Sequence, residues 1–169
     1  MKNILSFVFL LPFFASAQDT CALKKTTDPF THQTKISTGF LPFVNNGVQL
    51  SISVDATASD IDFFLWFTDG SKCFDEQSGI QIVFEGDRMK SNYRNSGSMN
   101  CEGAFHFTFK NTASTNSNLQ RLIDKKVNAF HITGPNKTIT DLAFSAEQKL
   151  QLQKMVSCVV QQGKSLIKQ

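Results

Sequence analysis

The chain is short of the residue types that carry most site chemistry. Its 169 residues include three histidines, four cysteines, one tryptophan and one tyrosine. No C-x-x-C pair or Cys/His spacing is present, which argues against a zinc centre, and no metal or cofactor is expected. Ser78-Gly79 and Ser96-Gly97-Ser98 do not form the G-x-S-x-G elbow of a serine hydrolase. Gly86 and Gly97 belong to separate turns, so there is no phosphate-cradling glycine loop. No segment beyond the N-terminus is long and apolar enough to cross a bilayer. An excess of one charge is missing too. Without Lys2, 16 basic residues stand against 14 acidic ones. That balance argues against a nucleic-acid or anionic-membrane partner.

What is present points first to export. Lys2 precedes an apolar run from Ile4 to Ala15, and Ala15-Ser16-Ala17 is a small-residue cleavage site. Residues 1–17 therefore read as a signal peptide, and 18–169 as a single domain in the periplasm or outside the cell. In an oxidising compartment Cys21, Cys73, Cys101 and Cys158 are expected to pair. Three connectivities are possible. The favoured one joins Cys73 to Cys101 in the middle of the chain and Cys21 to Cys158 at its ends.

Period-two alternation dominates the body of the sequence. Val48, Leu50, Ile52 and Val54 alternate with polar residues, as on a half-buried strand. Ile61, Phe63, Leu65 and Phe67 line one face of the next strand, with Phe64 and Trp66 on the other. A strand apolar on both faces is expected to be central and covered twice. Ile80, Ile82 and Phe84 alternate again, and Gly86-Asp87 reads as a two-residue hairpin leading into 88–94. Phe105, Phe107 and Phe109 mark another strand. Asn118 is a candidate N-cap for a short helix carrying Leu119, Leu122 and Ile123. The segment 127–133 reads as a strand buried on both faces, followed by 138–144.

The last element is a helix. Ser145 and Gln148 form a capping box, Leu152, Met155, Val156 and Val159 make an apolar stripe, and Gly163 sits as a C-cap. The expected fold is α+β, mainly β. Antiparallel strands in hairpin order form a sheet, sandwich or open barrel, with a short internal helix. The C-terminal helix is expected to cover the Phe64/Trp66 face.

Candidate site residues are few. His106 and His131 are the histidines able to serve a hydrolase, each needing a carboxylate within reach. Asp55, Asp60 and Asp62 cluster near one turn with Asp69 close by, but no EF-hand pattern accompanies them. Trp66 and Phe64 are the candidate ligand-binding residues, should the helix cover their face only in part. The leading expectation is a non-catalytic exported domain that binds a ligand or an envelope partner. A small periplasmic hydrolase using His106 or His131 is the alternative. A lipocalin-like binder of small apolar ligands is a third, although the usual Gly-x-Trp near the start is missing.

Cys21, the D-P-F-T turn at 28–31 with Lys35 following, and a cysteine on the final helix occur together in this chain. With L-Q-R-L-I-D-K-K-V-N-A-F-H-I at 119–132, this set resembles small exported proteins of Gram-negative bacteria. The resemblance implies a periplasmic or secreted β-rich domain and assigns no activity.

Overall fold

The structure, a computed structural model, describes residues 21–45, 47–70 and 72–167. The expected signal peptide lies outside the described residues. Among these residues ten strands form two antiparallel sheets. The first contains β1 (Lys24–Thr27), β2 (Thr34–Ser37), β3 (Leu41–Asn45), β4 (Val48–Ala56), β5 (Asp60–Phe67) and β8 (Ala104–Lys110). Its order is β1-β2-β4-β5-β8, and β3 pairs with the early part of β4 while β2 pairs with its end. The second sheet has the order β10-β9-β6-β7, from β6 (Gly79–Phe84), β7 (Lys90–Arg94), β9 (Val127–Thr133) and β10 (Ile139–Ala143). Helix α1 (Ser117–Asp124) precedes β9, and α2 (Ala146–Gly163) follows β10.

The pleat sends alternate side chains to opposite faces. Leu50, Ile52 and Val54 of β4 therefore join Ile61, Phe63, Leu65 and Phe67 of β5 in one core, each at most 2 % exposed. Phe105, Phe107 and Phe109 of β8 extend it, and Phe63 stacks on Phe107 at 4.9 Å between centroids. The second sheet contributes Ile80, Ile82, Phe84, Phe130 and Ile132 to the same core. Tyr93 of β7 stacks on Phe107 at 5.0 Å, which ties the two sheets together directly. The result is two sheets filled by side chains, not the closed barrel a lipocalin needs.

Helix α2 also packs on this inner face. Leu152, Met155, Val156 and Val159 are buried in the shared core, so the apolar stripe is as read. The face it covers is not the expected one: it lies over Ala56 and Ile61, and the Phe64/Trp66 face of β5 stays uncovered by it. Gly163 likewise differs from its expected role. It keeps helical backbone angles, and its function is close approach, since a Cβ there would lie 2.8 Å from Ala56 Cβ. The capping box of Ser145 and Gln148 is present.

Three local readings are corrected. Asn116, not Asn118, caps α1, its side chain accepting from the Leu119 N–H. The connection from β6 to β7 is longer than two residues, because Phe84 leaves its β7 partner and pairs with Val127 across a bulge. The Glu85 N–H then bonds the Lys126 carbonyl, and Lys125 reaches Asp87. Strand β9 is not buried on both faces, since His131 is partly exposed. The segment before residue 46 holds three strands with weak apolar alternation. In the D-P-F-T turn, Asp28 accepts from the Phe30 and Thr31 N–H groups, which closes the β1–β2 hairpin.

Two disulfides join Cys73 to Cys101 and Cys21 to Cys158. The second fixes the start of the chain to α2. Among the described residues no helix is long and apolar enough to cross a membrane.

Candidate functional site

The outer face of the first sheet is built from the polar half of each alternation. On β5 it presents Asp60, Asp62, Phe64 and Trp66. Strand register aligns these with neighbours in rows: Ser51–Trp66–Ala104, Ser53–Phe64–His106, and Ser37–Asp55–Asp62–Thr108. Phe64 stacks on His106 at 4.9 Å and 12°. Trp66 is 45 % exposed and meets the edge of Phe40, itself 54 % exposed, at 6.4 Å. Phe40 enters from the bend between β2 and β3, where Gly39 takes a φ of 67°. Pro42 and Val44 continue outward from Phe40 on alternate positions.

The polar end of this face is tightly organised around one carboxylate. Asp55 is buried and accepts from Ser53 Oγ at 2.7 Å, from Ser37 Oγ, and from Lys35 Nζ at 3.0 Å. A buried charge needs such partners, because desolvation alone would cost several kcal/mol. Asp60 is held by Lys110 at 2.8 Å and by Ser59. Those bonds stabilise its charged form and set its pKa below the usual value.

Asp62 differs from both. It receives no hydrogen bond among the described residues, and partial burial raises its pKa, with Asp60 and Asp55 adding repulsion and His106 opposing. A carboxylate with a raised folded pKa destabilises the fold where it is charged. That cost is fully present above the folded pKa and disappears as pH falls below the unfolded value. Asp62→Asn is therefore expected to melt higher than the parent at pH 7, with the difference shrinking through the acid range. Paired thermal melts across that range check the sign; a lower melting temperature at pH 7 refutes it.

The outer face of the second sheet carries a different set. Asn92, Gln81, His131 and Asp141 form one row across β7, β6, β9 and β10. Gln81 Nε2 donates to Asn92 Oδ1 at 3.1 Å, and His131 Nδ1 meets Asp141 Oδ1 at 2.5 Å. The next row is Arg94–Gly79–Thr133–Ile139, and the missing side chain at Gly79 leaves a hollow beside the first row. The depression measures about 660 Å³.

The candidate residues thus divide between two sites. Phe64, Trp66 and His106 share the first-sheet face. His131 lies on the outer face of the other sheet, so the two histidines do not converge. Of the hydrolase candidates, only His131 has a carboxylate within hydrogen-bonding distance among the described residues. Its surroundings supply Thr133 as a hydroxyl, while Tyr93 turns inward onto Phe107 with its hydroxyl buried; among the described residues no serine or cysteine is in the lining. The acidic residues near β4 and β5 do not gather around a point: no group of three His, Cys, Asp or Glu side chains suited to a metal occurs among the described residues.

Sequence reasoning missed the outward placement of Phe40, the lack of a hydrogen-bond donor to Asp62 among the described residues, and Asp141. The signals were present but weak. Phe40, Pro42 and Val44 alternate with Leu41 and Phe43, which defines an outward face on β3. Asp141 is opposite His131 only because a turn at 135–138 sets the β9–β10 register. Compared with known proteins, the chain matches no family model, no curated protein and no solved structure.

Proposed function

We propose that the protein is an exported, non-catalytic binding domain whose outer first-sheet face takes a saccharide. The observation carrying this reading is the open aromatic pair of Trp66 and Phe40 on the same sheet face as Asp62, a carboxylate without a donor among the described residues. A large exposed aromatic is costly to leave in water and marks an interaction surface when it is grouped with others. Flat rings stack on the apolar face of a sugar ring, and its hydroxyls need acceptors at the edge. Asp62 is such an acceptor, and Phe64 lies between it and Trp66 on the same strand face. Successive outward residues on β5 stand roughly 7 Å apart, so Trp66, Phe64 and Asp62 make a linear track about two such steps long.

Two further features support export. Residues 1–17 have the charge, apolar run and cleavage site of a leader. Two disulfides are compatible with an oxidising compartment.

Calorimetric titration of the mature protein against a panel of neutral oligosaccharides tests the reading. Binding should weaken at least tenfold in Trp66→Ala, on the scale of a lost aromatic contact, and should weaken also in Asp62→Ala. Binding unaffected by both substitutions refutes the assignment of this face. Turnover of a bound saccharide that stops in His131→Ala would instead move the protein to the hydrolase alternative.

A further inference from the structure

The outer face of the second sheet is a second, chemically distinct surface. Its rim on β7 carries Lys90 and Arg94 with Asn92 between them. Neither cation forms a salt bridge among the described residues; the ion pairs there use Lys35, Lys110, Lys125, His131 and Lys149. The single carboxylate in the lining, Asp141, is engaged by His131 on the far wall. Among the described residues, the two cations therefore face a hollow whose one carboxylate is already engaged by His131.

The floor between them is rich in groups that hydrogen-bond hydroxyls. Gln77, Gln81 and Asn92 each offer both donor and acceptor, and Thr133 adds a hydroxyl. Asp141 orients the His131 ring through Nδ1, which leaves Nε2 as the nitrogen for a ligand. Ile139, 68 % exposed, gives the rim one apolar surface. Lys90 and Arg94 lie about 13 Å apart along the strand, a separation that suits charges repeated on an extended molecule.

We propose that this depression binds an acidic saccharide, with anionic substituents on Lys90 and Arg94 and hydroxyls on Gln81, Asn92 and His131. The site is independent of the aromatic face, which lies on the other sheet. A carboxylate and a phosphate would satisfy the same two cations, so the anion is assigned by experiment.

The test uses the mature chain and three probes in calorimetry: a hexamer of galacturonic acid, a phosphodiester-linked hexamer of galactose phosphate, and a neutral galactose hexamer. At least one acidic probe should bind ten times or more tightly than the neutral one, and should weaken as salt rises. The tighter acidic probe identifies the anion. Lys90→Gln with Arg94→Gln should cost at least tenfold in that affinity. Both side chains are exposed, so the double variant should keep the parent melting temperature. Side-chain amide signals of Gln81 and Asn92 should shift with the acidic probe, and Trp66→Ala should bind it like the parent. Equal affinity for acidic and neutral probes overturns the proposal. So does an unchanged affinity in the double variant, or loss of acidic binding in Trp66→Ala.

Discussion

Replacing Cys21 and Cys158 together by serine should lower the unfolding free energy by up to about 5 kcal/mol, the chain-entropy value for a very long loop. The bond closes a separation of 137 residues, against 28 for Cys73–Cys101. The same arithmetic gives the shorter link roughly 3–4 kcal/mol. The reason the longer bond matters is visible in β1. All four residues of Lys24–Thr27 are exposed, so little burial holds that strand in place. Leu23 packs partly on the core beside it. Without the disulfide, the first sheet should lose its outermost strand before it loses its centre. Denaturant titration measures the total, and amide exchange in β1 and β2 reports the local opening. Unchanged midpoint and unchanged exchange would show that non-covalent contacts already hold the N-terminal segment.

Phe63→Ala is expected to cost about 3–5 kcal/mol, whereas Trp66→Ala, three residues on, should cost within about 1 kcal/mol. Phe63 is 1 % exposed, stacked on Phe107 and in edge contact with Phe109 at 5.6 Å. Removing its ring leaves a cavity that the surrounding sheet cannot close. Trp66 points away from that core and touches Phe40 at the surface. The two variants separate stability from function: one should unfold early, and the other should fold normally and lose saccharide binding. Thermal melts and calorimetry on the pair decide it. A melting loss in Trp66→Ala as large as that in Phe63→Ala would make the tryptophan a structural residue.

The contrast also shows where the sequence was readable. Alternation in β4, β5, β6 and β8 depends on which side chains face water, and that pattern is local. The capping box at Ser145 and Gln148 is local too, since its bonds span three residues. Strands β1 to β3 are not legible in the sequence because all three are short, β1 is wholly exposed, and β2 and β3 bury one residue each. Their pairing comes from the Asp28 turn and from β4, not from burial along their own length. The Gly163 reading failed for a similar reason: glycine at a helix end has two uses, a left-handed cap and a close contact. Only the position of Ala56 distinguishes them.

The candidate sites were readable by residue and not by partner. Trp66 and Phe64 stood out as apolar side chains on the second face of a core strand. Whether that face was roofed depended on where α2 landed, and a helix stripe does not specify which sheet surface receives it. His131 was noted without Asp141, because cross-strand neighbours are set by the register of a hairpin.

Sequence alone determined that this chain is mainly β, ends in an amphipathic helix and carries four cysteines suited to an oxidising compartment. Those properties follow from side-chain periodicity and composition, which act over a few residues. Tertiary structure alone decided that α2 and the second sheet share the inner face of the first. That placement left Trp66 and Phe40 open, and strand register put His131 against Asp141 on the opposite side. The physical reason is that burial rewards any apolar surface alike, so the choice among surfaces is made only when the whole core is packed at once.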